Sequence, residues 1–506
     1  MRSRRGALPQ LLPLVRSICL VGATATLAAA AAAAEADAVA SQVPSAHARI
    51  SFERATFPGD EKVGLLGTTY LVDTAGVPGL AVGPAVYGAI SGRRGGFFTI
   101  GGEAAWRQRL FGPVGVELGM YVGGGGGAGA PQGGGLMLRP HADLVTDLGP
   151  VAVGISISRI EFPNGQISST QWGLVLNVND RFKYTPASHL DATVSAGGRT
   201  GIGFDRIQIV GGAYRSQGKQ TLVDGNAQPD TIQFVGVRAE QAIGSNAFWG
   251  LEANGAAQHT VAGYAEYLGT VGAETELVRD RITLGGRVAL GMGGGGGIRT
   301  GGGFLAKASL YTIVRLSDSI GISLEGGWTD APDGEFRAGH VAAGLVWALD
   351  GPRSSGISAR PVRTDFSAGV ESYDAARKDG STRQLTTDVL KADRFVTPNV
   401  YLTGQVHSAV SGGAGGYTSA VVGGGWLQPI GRRWHVAGEL LAGAAGGGGV
   451  DSGGGVVQAT VYGGFQLTPA VGLRLAVGRI LGPGGALGST TVGAMVNFTY
   501  GVSTGD

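Results

Sequence analysis

"LGPVAVGISISRI", residues Leu148–Ile160, opens on a turn pair and then alternates. Val151, Val153, Ile155 and Ile157 fall on one side, and Ala152, Gly154, Ser156 and Ser158 on the other. A period of two belongs to a strand, whose successive side chains point to opposite faces, whereas a helix repeats every ~3.6 residues. The same pattern returns in "LSDSIGISLEGGW" (Leu316–Trp328) and "LTPAVGLRLAVGRI" (Leu467–Ile480), each opened by turn residues.

Each alternating stretch follows a doubled glycine run: "GGGGGAGAPQGGG" (Gly123–Gly135), "GGGGGIRTGGG" (Gly293–Gly303) and "GGGGVDSGGG" (Gly446–Gly455). The last glycine of the first run recurs after 170 and then 152 residues, and Gly173, Gly344 and Gly493 recur after 171 and 149. Two markers with near-equal spacing imply three repeated units, roughly 46–190, 191–350 and 351–502. Read the same way, each unit holds about eight strands, about 24 in all. In the third they fall near 365–376, 383–394, 399–410, 417–429, 433–449, 453–467, 470–480 and 490–502.

Glycine makes up 95 of the 506 residues and charged residues 15%, while 43% are hydrophobic and interspersed, which argues against disorder. Residues 1–34 resemble an export signal: Arg2, Arg4 and Arg5, then an apolar run ending in alanines. The only cysteine, Cys19, lies inside it, so no disulfide or thiolate metal site is expected beyond it. Removal of that segment leaves 35 basic and 37 acidic side chains, with no basic excess for nucleic acid. No later apolar run is long enough for a membrane helix, which leaves a closed strand barrel as the way to span lipid.

The large apolar side chains share one strand face and Gly, Ala and Ser the other, the inside-out pattern of a barrel in lipid. "TVGAMVNFTY" (Thr491–Tyr500) adds to it: Gly493, Val496, Phe498 and Tyr500 resemble the closing-strand signal of Gram-negative outer-membrane barrels. The resemblance is to the class rather than to one family. It implies an outer-membrane location, contact with outer-membrane lipid, assembly by the barrel-assembly machinery through the last strand, and a periplasmic partner for any gating or energy.

Two all-β architectures fit: one antiparallel barrel of about 24 strands, or three tandem eight-stranded barrels. The expected inward positions are often Gly, Ala or Ser and would underfill an eight-stranded lumen, so the single large barrel is expected. Function follows as passage of a solute or polymer; the alternative is a surface protein, structural or adhesive, without transport. A phosphate loop, a HExxH zinc motif and a defensible Ser-His-acid set are missing, so no enzyme, metal or cofactor is expected. Glu117, Arg139, His141, Asp143, Arg287, Lys307 and Glu439 are candidate lumen residues, with Glu117, Arg287 and Glu439 expected at matching positions. The acidic turn Asp330, Asp333 and Glu335 is a weaker candidate for calcium. Gly125, Gly134, Gly295, Gly302, Gly448 and Gly454 mark three equivalent hairpins, expected between the fifth and sixth strands and packed over the lumen.

Overall fold

The computed structural model describes residues 42–192, 194–195, 200–349, 358–359 and 361–503; residues 1–34, expected from the sequence to be an export signal, and Cys19 among them lie outside the described residues. The strands close three times, not once. Residues Ser45–Arg181, Arg206–Ala348 and Pro361–Ser503 each form an eight-stranded antiparallel barrel with neighbouring strands consecutive in sequence. In each, the first strand pairs with the eighth: Ser45 with Arg181, Arg206 with Ala348, Pro361 with Ser503. The single 24-stranded barrel is therefore corrected to three barrels, and no common bore exists.

The reason lies in the lumens. Inward positions are not only small: Arg49, Arg139, Arg238, Tyr87, Tyr121, Tyr214, Tyr311 and Tyr401 are among the largest fully buried side chains. An eight-stranded barrel has an interior just wide enough for side chains to fill, and these fill it. Opposite them, Leu118, Ile155, Trp172, Leu310, Leu440 and Leu475 stand exposed on the outer walls. Charge inside and hydrocarbon outside is the reverse of a water-soluble protein. Strands of 10 to 16 residues suffice for a tilted crossing of about 30 Å of hydrocarbon. Among the described residues no helix is long and apolar enough to cross a membrane.

Strand parity divides each barrel into two ends. The segments joining the barrels leave from one end, where Val194–Ser195 pairs with Ser358–Ala359 and Thr185–Pro186 pairs with Tyr500–Gly501. The turns after strands one, three, five and seven gather at the other. There the glycine stretches form the turn between strands five and six.

Candidate functional site: filled lumens and a ring of glycine loops

The hairpin geometry realigns the three glycine stretches. Ala130, Ile298 and Val450 each donate a backbone hydrogen bond of 3.0 Å, to Gly127, Gly295 and Gly447 respectively. Gly127, Gly295 and Gly447 are thus equivalent, two residues off the alignment by run ends in the first barrel. Gly134, Gly302 and Gly454 correspond, whereas Gly125, Gly295 and Gly448 do not. Arg287 and Glu439 still match, each eight residues before its reference glycine, but Glu117 lies two residues earlier on its strand than they do.

Ala130, Ile298 and Val450, the buried tips of the hairpins, join apolar clusters that stop the lumens at this end. Phe57, Phe97 and Phe162 complete the stopper in the first barrel, Tyr214, Tyr264 and Phe336 in the second, Tyr373 and Tyr417 in the third.

Below the stoppers lie ion-pair networks. In the first barrel Arg139 makes a two-point contact with Glu53, Nε to Oε1 and Nη2 to Oε2, both 2.9 Å. Arg49 donates to Asp143 at 2.8 and 2.9 Å and lies 3.5 Å from Glu117. His141 bridges Glu103 at 3.2 Å and Asp143 at 3.1 Å, while His47 sits 3.2 Å from Glu117. Glu117, His141 and Asp143 could offer a metal three atoms within 4.8 Å of one another. The Arg49 guanidinium already lies among them, so the cluster is cation-filled as it stands.

In the second barrel Arg238 spans Glu252 at 2.8 Å and Glu325 at 2.6 Å, and Lys307 reaches Glu252 at 2.6 Å. Arg287 pairs with Glu240 and stacks 4.1 Å over Tyr311. In the third, Arg474 spans Asp365 and Asp393, and Glu439 accepts from Lys391 and Tyr401, both at 2.6 Å. All seven candidate lumen residues are buried, but they sit in three separate lumens: four in the first barrel, two in the second and one in the third. Arg49, Glu53, Arg238, Glu252 and Arg474, which belong to the same three networks, escaped the sequence reading. A charge at an inward strand position was the available signal. Asp330 pairs with Arg337 and Glu335 with Arg299, so two acids of the acidic turn are already neutralised.

The glycines do a second thing. The loop after strand three of each barrel lies on the glycine hairpin of the next, in cyclic order. A Cβ on Gly96 would sit 2.1 Å from the Gly295 nitrogen, on Gly263 2.7 Å from the Gly447 nitrogen, and on Gly416 2.7 Å from the Gly127 Cα. First meets second, second meets third, third meets first. Backbone hydrogen bonds cross two of these seams, Gly95 N to Gly301 O at 2.9 Å and Gly415 N to Gly133 O at 3.1 Å. Gly134, Gly302 and Gly454 face Ser411, Ser91 and Gln258 across the same seams. Only residues without side chains allow two backbones this close. Below the loops the walls touch: Phe98 meets Tyr267 edge-on at 5.2 Å, and Asp388 accepts from Gly124 N at 3.1 Å.

On the last strand, Val496, Phe498 and Tyr500 face outward and Gly493 inward. Tyr500 packs on Phe182 and Tyr184 of the first inter-barrel segment, at 5.7 and 6.2 Å.

In class, the chain resembles the β-barrel proteins of Gram-negative outer membranes. No family model and no curated protein matches it. Among solved structures it is similar to a mutant ferric enterobactin receptor from Pseudomonas aeruginosa, at 9% identity and a TM-score of 0.26, over 92% of this chain and 82% of that one. The siderophore receptor PirA from Acinetobacter baumannii gives 10% and 0.29, over 92% and 81%. Pseudomonas aeruginosa OccK9 (OpdG) gives 10% and 0.23, over 91% and 98%. At these scores the likeness carries no argument about activity.

Proposed function

We propose that this is an outer-membrane protein whose three barrels act as one sealed platform, displaying a fused loop surface instead of an open bore. The observation that carries this reading is the double closure of every lumen, by an apolar stopper at the loop end and an ion-pair network below it. Breaking one such network by removing a partner costs about 3–5 kcal/mol, so an open state would be rare at rest.

We read the three barrels as copies of one eight-stranded unit, supported by nine-residue segments of equal length: Gly127–Gly135, Gly295–Gly303 and Gly447–Gly455. Export by the N-terminal segment and assembly through the Gly493–Tyr500 strand belong to the same proposal.

The second reading, passage of a solute, is favoured by one feature: cations shared between carboxylates, as Arg238 is between Glu252 and Glu325. Such pairs can exchange partners and let small ions step through a lumen. Reconstitution in planar bilayers separates the two. The platform predicts a folded, silent protein. Reproducible conductance steps that change when Arg238 is replaced by Met would overturn it in favour of passage.

A further inference from the structure

Two barrels place a guanidinium on the same hairpin carbonyl, one residue beyond the equivalent glycines Gly127 and Gly447. In the first barrel Arg94 donates from Nη1 to Ala128 O at 2.9 Å, and Glu61 neutralises it, Nη2 to Oε2 at 2.6 Å and Nε to both oxygens at 3.0 Å. In the third barrel the cation comes from a different turn. Arg377 donates from Nη1 to Gly448 O and from Nη2 to Gly412 O, both at 3.0 Å.

Its acid is missing. The β-bulge at Gly64/Leu65 in the first barrel recurs at Thr386/Thr387 in the third, and counting back from it sets Arg383 where Glu61 stands. A carboxylate has been exchanged for another cation. Arg377 is only 6% exposed, and its Nε is buried without a hydrogen-bond partner. Burial first, and then the charge of Arg383, hold its guanidinium below its ordinary value, the sign of a cation short of a counter-charge.

Arg377, Lys378, Asp379 and Arg383 wall a cavity of about 270 Å³ with Gly413, Gly448 and Gly449. The one acid there, Asp379, is already engaged by the Ser381 N–H at 2.9 Å, the Ser381 hydroxyl at 2.6 Å and Arg383 at 3.2 Å. A Cβ on Gly413 or Gly449 would meet nothing within 4 Å, so the wall is open on the cavity side.

We propose that this cavity binds an oxyanion of the phosphate class, held by Arg377, Lys378 and Arg383, which supplies the negative charge that Glu61 supplies in the first barrel. A guanidinium matches tetrahedral oxyanions through paired N–H groups, and flanking cations favour a doubly charged ligand over chloride. The anion is either free phosphate or the phosphomonoester of a lipid headgroup, because the cavity opens at the loop end, beside the membrane surface.

The test uses the full chain. In detergent micelles at fixed ionic strength, inorganic phosphate is titrated against chloride, followed by thermal unfolding and the ³¹P linewidth. Separately, the protein is reconstituted in phosphatidylcholine vesicles with and without phosphatidic acid. Wild type should show saturable broadening and a rise in Tm that chloride does not give. Lys378→Ala should weaken binding about tenfold, roughly one charged contact. Arg383→Glu restores the acid of the first barrel and should abolish binding while the protein stays folded; Arg377→Lys should retain part of it. Saturation by inorganic phosphate assigns the free anion, and a response to phosphatidic acid alone assigns the headgroup. The proposal falls if wild type responds to neither probe, or if Arg383→Glu binds as tightly as wild type.

Discussion

Alanine at Gly96 tests the ring of loops. Gly96 has φ +92°, and its Cβ would lie 2.1 Å from Gly295 N and 2.6 Å from the Gly294 carbonyl carbon and Gly295 Cα. The left-handed backbone costs a non-glycine residue about 1–2 kcal/mol, and overpacking against a well-packed neighbour about 1–3 kcal/mol. The seam between first and second barrels should therefore weaken by about 2–5 kcal/mol, a rise in its opening constant of about thirtyfold or more. The loop carries its own reporter, since Arg93 and Arg94 are tryptic sites immediately before Gly95 and Gly96. When reclosing outruns cleavage, the rate of cutting tracks the open population. Trypsin added to protein in vesicles should cut Gly96→Ala after Arg93 or Arg94 at least thirtyfold faster than wild type. Gly438→Ala is the control, because a Cβ there meets nothing within 4 Å. An increase below about threefold, or an equal one in the control, would refute the claim that backbone contact holds the seam.

Glu53→Gln should destabilise the first barrel by about 3–5 kcal/mol in urea, by leaving Arg139 buried with a neutral partner, and adding Arg139→Met should recover most of the loss. Asp379 is exposed, and its carboxyl is held below its ordinary 3.8, first by the Ser381 hydroxyl and then by the Ser381 N–H. A depressed carboxyl stabilises its turn above the unfolded value, and this is lost as pH falls through the folded one. Protection of the Ser381 amide, relative to its intrinsic exchange rate, should thus fall as pH drops below the ordinary carboxylate value of 3.8 and show little such change in Asp379→Asn. Tyr500→Ala should free the Phe182–Tyr184 segment from the last strand, read as faster cleavage after Lys183; protection equal to wild type would count against that contact.

Much of the wall was legible. Expected strands such as 417–429 and 470–480 lie within a residue of Thr418–Pro429 and Val471–Leu481. Alternation marks a strand locally, and turn residues mark its ends. Closure was not legible. Whether Ile50 pairs with Leu176 or a strand of another unit is settled by contacts more than a hundred residues apart, and both pairings leave the same local pattern. The lumen misled for a related reason. Tyr87 lies over Gly67 of the neighbouring strand and His141 over Gly119, so a few large side chains fill the space that their small neighbours leave. The two-residue slip in the glycine alignment arose because runs of identical residues have no internal landmark; Ala130, Ile298 and Val450, buried at the tips, provide one.

The cyclic order of the seams has a consequence for connectivity. Two seams join barrels that are also linked by the chain, but the third, Gly416 against Gly127, joins the last barrel to the first without one. On the opposite end, Gln42 bonds to Tyr184 at 2.8 Å, and the neighbouring Thr185 and Pro186 pair with Gly501 and Tyr500. Start and finish of the described chain therefore lie side by side, around a circle that the loops close without them. A circle of this kind can be cut at any of its three joints: joining the two ends and opening the chain between the first and second barrels should yield the same ring read from a different starting point.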